Sequence, residues 1–306
     1  MATHSSGFVD VGSGRIWYER SGDGPALLLL HGGPGADSHS LKDIMRAAEW
    51  GFTVVRFDQL GSRNSDKPGD TSLWTVQRFV EEVETVRREL DLGMMHLLGQ
   101  SWGAFLALEY ALHFQQNLLS LFLYSGAAST LQCVDGMNRL KNALPPESVA
   151  ILNTHESAGT TSDPEYLQVI DVLLRRHLCR VDPWPPELKM SMDSISLPVY
   201  RTMWGPNEFT CTGTLQSWDR RNRLHEVTVP TQILCGRHDE VIPECSETMH
   251  AGIPNSELVI FEDSSHHAHF EEPVAFFELL KTHLINHTPP PGRRPAMTQE
   301  PENSSI

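Results

Sequence analysis

The segment Gly99-Gln100-Ser101-Trp102-Gly103 constrains this chain more than any other, because of what stands on either side of it. An apolar run at 94–98 precedes it and a helix-forming stretch at 102–114 follows, so the five residues make a sharp strand-to-helix turn. Side chains at 99 or 103 would obstruct the crowded backbone of such a turn, while Ser101 is held in a strained geometry that presents its hydroxyl. Ser101 is therefore the candidate nucleophile.

The surrounding pattern is a regular alternation. Strand-like runs are expected at 16–19, 26–30, 53–57, 94–98 and 119–124, and helices at 75–90 and 102–114. In the first of these helices apolar residues recur at Val76, Phe79, Val80, Val83, Val86 and Leu90. Leu27-Leu28-Leu29-Leu30 is a continuous apolar run, as in a strand covered on both faces. Alternation of this kind implies an α/β fold with a mostly parallel sheet flanked by helices. It stops near Ala128. Strand signals return only at 231–235 and 257–261, and a closing helix at 273–285 follows, with Pro273 suited to its first turn. We read residues 1–129 and 218–287 as a discontinuous core domain and 130–217 as an inserted helical cap domain, including a helix at 166–178. Residues 288–306 form a Pro-rich polar tail that cannot bury apolar surface and is expected to be disordered.

Composition narrows the function. Twenty-four basic against 39 acidic residues give a formal charge of −15, which argues against nucleic acid as a partner. No run reaches the roughly 18–20 apolar residues of a membrane helix. The first residues lack the basic-then-apolar layout of a signal peptide, so the expected location is cytoplasmic, and the sequons at Asn286 and Asn303 carry no weight. The five cysteines, Cys133, Cys179, Cys211, Cys235 and Cys245, are widely spaced without a C-x-x-C pair. They read as buried packing rather than a disulfide framework or zinc site.

A serine hydroxyl needs a histidine as general base and a carboxylate to orient that imidazole. Asp239 lies just past the strand at 231–235, and His266, His267 and His269 follow the strand ending at Phe261. The order Ser, acid, His is that of α/β-hydrolase triads, but chemistry alone does not choose among the three histidines. His-His-x-His near Asp263 and Glu271 offers ligand-type residues without a zinc spacing, so no metal is expected. The oxyanion of acyl transfer needs two donors. One is the backbone N–H of Trp102, and the other is assigned to Gly33 in His31-Gly32-Gly33-Pro34-Gly35. That loop has neither nucleotide-binding glycine pattern, and no cofactor is implied.

With these residues in hand, the chain from about 9 to 285 resembles the proline iminopeptidase and L-amino-acid amidase family of α/β-hydrolases. The resemblance is carried by residues 31–35, Asp58-Gln59-Leu60-Gly61-Ser62, 99–103, Trp204-Gly205-Pro206-Asn207-Glu208-Phe209 and 236–240. It implies that the catalytic histidine is His266, at a fixed interval before Glu271-Glu272-Pro273. It further implies that Glu208 and Glu240 hold the free α-amino group of the substrate. An α-amino group with a pKa near 7.7–8.0 is largely cationic at neutral pH, which suits a partly desolvated carboxylate pair. Tyr200, Trp204, Phe209 and Trp184 are candidates for an apolar wall. The chain departs from the family pattern at Arg63, Asn64, Ala104 and Ser265. The expected enzyme is a serine aminopeptidase or amino-acid amidase acting on a small peptide or amide. The alternative is a serine esterase or lactone hydrolase acting on a specialised metabolite.

Overall fold

A computed structural model of the chain describes residues 4–290. Eight strands among these residues form one sheet in the order β1-β2-β4-β3-β5-β6-β7-β8. β1 (His4–Asp10) and β2 (Arg15–Ser21) are an antiparallel pair at one edge, and β2 also runs antiparallel to β4 (Thr53–Phe57). From β4 onward every pairing is parallel, through β3 (Ala26–Leu30), β5 (Met95–Gln100), β6 (Leu118–Tyr124), β7 (Thr231–Gly236) and β8 (Ser256–Phe261). The mostly parallel sheet flanked by helices is the α/β architecture expected from the alternation.

Both faces of the sheet are covered, and β3 shows how. Leu28 and Leu30 pack into a core with α1 (Val76–Glu89) and α2 (Trp102–Phe114), while Leu27 and Leu29 pack into a second core on the opposite face. Strand side chains alternate between faces, so a run of four leucines is needed to bury both. Each contributes roughly 1.5–3 kcal/mol through burial. The second core is closed by a 3₁₀ helix, Ser38–Trp50, and by α10 (Pro273–Asn286).

Five α-helices lie between β6 and β7, namely α3 (Thr130–Asn142), α4 (Pro146–Ala158), α5 (Pro164–His177), α6 (Pro186–Asp193) and α7 (Leu197–Met203). Proline stands in the first turn of four of them, α4 to α7, where its missing N–H costs no helical hydrogen bond. The inserted helices rest on the loop after β3. Asp37 is the anchor: its Oδ2 accepts from Ser194 Oγ at 2.7 Å and its backbone oxygen from Ser191 Oγ at 3.2 Å.

Periodicity did not reveal β1, the 3₁₀ helix, α8 (Pro243–Gly252) or α9 (Ala268–Glu271). β1 is an exposed edge strand whose residues, apart from Val9, bury little, so it carries no apolar alternation. Most of the expected tail, from 291 on, lies outside the described residues. Among the described residues no helix is long and apolar enough to cross a membrane.

Candidate active site

Ser101 sits at the tip of the turn between β5 and α2 with φ 58° and ψ −124°, a left-handed backbone for a residue with a side chain. Such a conformation costs of order 1–3 kcal/mol and persists only where the surroundings enforce it. They do so here. A Cβ on Gly99 would lie 2.0 Å from Gly103 O, and one on Gly103 would lie 2.1 Å from Leu30 O. Ala104 is accommodated because Gly126 faces it, where a Cβ would stand 2.4 Å from that of Ala104.

Three strand ends bring the remaining residues to Ser101. Asp239 follows β7 and is buried; its Oδ1 lies 2.7 Å from His266 Nδ1 and accepts the Val241 N–H at 2.9 Å. His266 follows β8 on a loop fixed by the two glutamates that precede α10. Ser264 Oγ donates to Glu272 at 2.6 Å, and both the N–H and Oγ of Ser265 donate to Glu271 at 2.7 Å. Ser265 thus holds the loop through its hydroxyl as well as its N–H. The backbone oxygen of His177, the last residue of α5, accepts the N–H groups of both Glu240 and His266, at 3.1 and 3.2 Å.

Hydrogen bonding separates the three histidines. His269 donates from Nε2 to Ser40 O at 2.8 Å and pairs through Nδ1 with Tyr124 Oη at 3.0 Å. Burial drives its pKa down to about 4. His267 is buried with Nδ1 unpartnered, and burial, then the neighbouring His266 and His269, push it well below the ordinary range. Only His266 of the three meets a carboxylate. Burial alone would depress it as well, but Asp239, then Glu240, with a smaller contribution from Glu208, overcome that and carry it to about 9. Ser101 Oγ and His266 Nε2 form no hydrogen bond in the structure, whereas Nε2 lies 3.6 Å from Glu240 Oε1.

Gly33 has φ 118°, where glycine is favoured, and a Cβ there would lie 2.6 Å from Ala36 N. Trp102 opens α2, so its N–H is one of the four that a helix leaves without an internal partner. The two loops are tied together by a buried chain that sequence reasoning missed. His31 Nδ1 donates to Gly32 O at 2.8 Å and Nε2 accepts the Gln59 N–H at 3.0 Å, which sets the neutral tautomer. Gln59 Nε2 donates to His31 O at 3.1 Å, and its Oε1 accepts from Trp102 Nε1 at 2.9 Å. Both residues lie in motifs already singled out, but spacing carries no sign that the glutamine side chain spans them.

One cavity joins these groups. Gly33, Ser101, Trp102, Tyr200, Trp204, Glu208, Glu240 and His266 all line it, and it offers about 90 Å³ to the centres of water-sized molecules. Glu240 comes from the β7 side and Glu208 from the segment after α7, so the carboxylates belong to different parts of the chain. Burial raises the pKa of both, and the proximity of Glu208 raises Glu240 further. Of the expected aromatic wall, Tyr200 and Trp204 line the cavity. Phe209 lines a smaller adjoining cavity that also touches Glu208 and Glu240. Trp184 lines neither; its Nε1 donates to Cys179 O at 2.9 Å. Arg63 and Asn64 also stand apart, Arg63 Nη1 at 3.5 Å from Asp37 Oδ2 and Asn64 Nδ2 donating to Asp58 at 2.8 Å. The five cysteines are free, four of them buried, and Cys133 lines the cavity.

Comparison with known proteins agrees with this architecture. Residues 25–273 match the family model described as alpha/beta hydrolase fold. The proline iminopeptidase of Saccharolobus solfataricus is 38% identical over 86% of this chain and 86% of its own length. Among solved structures, VinJ superposes with a TM-score of 0.89 at 35% identity, covering 93% of this chain and 99% of its own. The proline iminopeptidase of Mycobacterium smegmatis superposes with a TM-score of 0.86 at 35% identity, covering 92% of this chain and 98% of its own.

Proposed function

This chain belongs to the α/β-hydrolase family, among the proline iminopeptidases, and from that membership we propose how it releases the N-terminal residue of a peptide or amino-acid amide. Ser101 attacks the carbonyl of the first residue and forms an acyl-enzyme. His266 takes the serine proton and returns it to the leaving amine, which a stable amide requires, while Asp239 holds the imidazole with Nδ1 protonated. The N–H groups of Gly33 and Trp102 receive the oxyanion; removing one such donor typically costs about 2.7–4 kcal/mol. Water then hydrolyses the acyl-enzyme, with His266 acting again as base.

The observation that carries this reading is the pairing of Glu208 and Glu240 in the cavity that also holds Ser101 and His266. Two half-buried carboxylates of like charge are stabilised together by a cation, and the cation nearest a scissile N-terminal amide is the α-ammonium group. Amine capture limits the cut to the first residue. Tyr200 and Trp204 supply apolar surface suited to a prolyl ring or another small apolar side chain.

The test compares an L-prolyl anilide and an L-alanyl anilide with their N-acetylated forms, with Ser101→Ala as blank. The free amines are expected to turn over, acetylation to abolish turnover, and Glu208→Ala to weaken only the free-amine reaction. Ser101-dependent hydrolysis of a neutral aryl ester with no turnover of either free anilide would replace the aminopeptidase by an esterase.

A further inference from the structure

The two N–H groups assigned to the oxyanion stand on separate loops. That of Trp102 belongs to the turn after β5, which close packing fixes at Gly99 and Gly103. That of Gly33 belongs to the loop after β3, whose glycines have no side chains with which to hold it. This loop nevertheless lies against the nucleophile: a Cβ on Gly32 would stand 3.1 Å from Ser101 Cβ and 2.8 Å from Gln100 Oε1. The residue that spans the two loops is Gln59, just past β4. It grips His31 twice, its N–H on Nε2 at 3.0 Å and its Nε2 on the backbone oxygen at 3.1 Å, and its Oε1 accepts the Trp102 indole N–H at 2.9 Å. All three residues are buried. Gln59 is itself pinned from both sides, because the Asp58 N–H donates to Trp17 O at 3.0 Å and the Leu60 N–H donates to the buried Glu82 carboxylate at 3.2 Å. Burial lowers the pKa of His31 despite the nearby Asp58, so the ring stays neutral and keeps Nε2 as an acceptor.

We propose that Gln59 is a positioning residue of the reaction: it fixes the Gly33 loop against the Ser101 turn and so sets the separation of the two oxyanion donors. An oxyanion donor acts only when it already points to where charge develops, and a displacement of about 1 Å costs on the order of a hundredfold in rate. A glycine loop does not supply that order itself, since glycine loses more backbone freedom on ordering than any other residue. The amide of Gln59 suits the task because it donates to one loop and accepts from the other. A carboxylate of the same shape accepts only, and would oppose the His31 carbonyl. Gln59 does not line the cavity, whereas Glu208, Glu240, Tyr200 and Trp204 do. Its loss should therefore be felt in the transition state rather than in substrate affinity. The inference rests on the oxyanion assignment above and does not require the amine site.

Gln59→Met keeps the length and the main-chain N–H but removes both side-chain bonds. On the prolyl anilide kcat is expected to fall about ten- to a hundredfold, with KM within about threefold of wild type. Two inhibitors separate positioning from general damage. L-Boroproline adds to Ser101 as a tetrahedral boronate with one oxygen in the oxyanion site, and should bind more weakly by about the factor lost from kcat/KM. L-Prolinol has the amine but no such oxygen, and should bind within about threefold of wild type. Phosphonylation of Ser101 by diisopropyl fluorophosphate, which puts its phosphoryl oxygen in the same site and carries no amine, should slow by a factor similar to that on kcat. Trp102→Phe cuts the same bridge at its other end while leaving the main-chain N–H in place. It should give the same pattern at smaller magnitude, and should add less than about twofold to the loss in Gln59→Met. Trp102→Phe alone carries the test if Gln59→Met does not fold. Unchanged kcat, boronate and prolinol weakened alike, or phosphonylation at the wild-type rate overturns the positioning role. If wild type turns over neither free anilide yet is phosphonylated, the aminopeptidase reading fails and the phosphonylation rates alone decide the role of Gln59.

Discussion

His266 at one end of the sheet and His96 and His283 at the other are all buried, yet they titrate in opposite directions. At the C-terminal ends of the strands, His266 is carried up to about 9. At the other end, His96 near the start of β5 and His283 in α10 are driven down to about 3. Burial lowers all three, so burial cannot explain the difference. His266 meets Asp239 at 2.7 Å, whereas His96 meets the hydroxyls of Ser120 and Thr288 at 2.7 and 3.0 Å, and His283 Nε2 is buried without a partner. A hydroxyl satisfies the neutral ring without favouring the cation; a carboxylate favours the cation. The partner, not the depth, decides whether a buried histidine can carry a proton.

The most severe way to break the comparison is to remove the carboxylate. Asp239→Asn is nearly isosteric, but it removes the charge and allows the amide to donate to Nδ1, which reverses the tautomer. A loss in kcat of about 10⁴-fold is expected on the prolyl anilide, with thermal stability little changed. Ser120→Ala, which removes the partner of His96, should leave kcat unaltered. Turnover by Asp239→Asn within tenfold of wild type would mean that something other than this pair sets the state of His266.

Acid sharpens the comparison from the other end. His96 and His283 stay neutral in the folded chain down to about pH 3, while in the unfolded chain they take up protons near 6.5. Below 6.5 the unfolded state therefore binds more protons. The stability these neutral rings provide is complete above 6.5 and is lost as the pH falls towards 3, at about 1.4 kcal/mol per pH unit for each ring. His283 packs edge-on against Phe122 at 5.7 Å, so phenylalanine can occupy its place. In urea unfolding, His283→Phe is expected to gain about 2 kcal/mol on wild type between pH 6.5 and pH 5. Equal slopes for the two proteins would show that His283 is not a source of the acid sensitivity.

The two ends were unequally legible in the sequence. The upper end is written in contiguous motifs, because a strand-to-helix turn needs glycines at 99 and 103 and because Asp239 and the histidines each follow a strand directly. Even there, sequence chemistry left three histidines open, and His266 was selected by family resemblance. What distinguishes them in the structure is the pairing of Nδ1 with Asp239 across 27 positions. The lower group was invisible, since His96 and His283 lie far apart in the chain and each looks like an ordinary member of an apolar strand or helix. The His31–Gln59–Trp102 chain was missed for a related reason: the motifs were visible, but a side-chain bridge between them depends on rotamers. Trp184 was grouped with the cavity aromatics by chain proximity alone, and its indole turns to Cys179 instead.

His267 provides the subtlest test, because it belongs to the upper group by position and to the lower group by chemistry. It adjoins His266 in the chain, with ring centroids 5.4 Å apart, and lines the same cavity, but no carboxylate pairs with it and its Nδ1 is unpartnered. If the partner decides, His267 is neutral throughout the working range and contributes shape rather than charge. Replacement by phenylalanine, which fills a similar volume, should then lower kcat/KM on the prolyl anilide by less than about tenfold. The pH midpoint of diisopropyl fluorophosphate labelling should stay where it is in wild type. A midpoint displaced upward by His267→Phe would mean that His267 carries positive charge and repels the proton on His266. Depth and proximity would then have to replace partnership as the explanation for the difference between the two ends of the sheet.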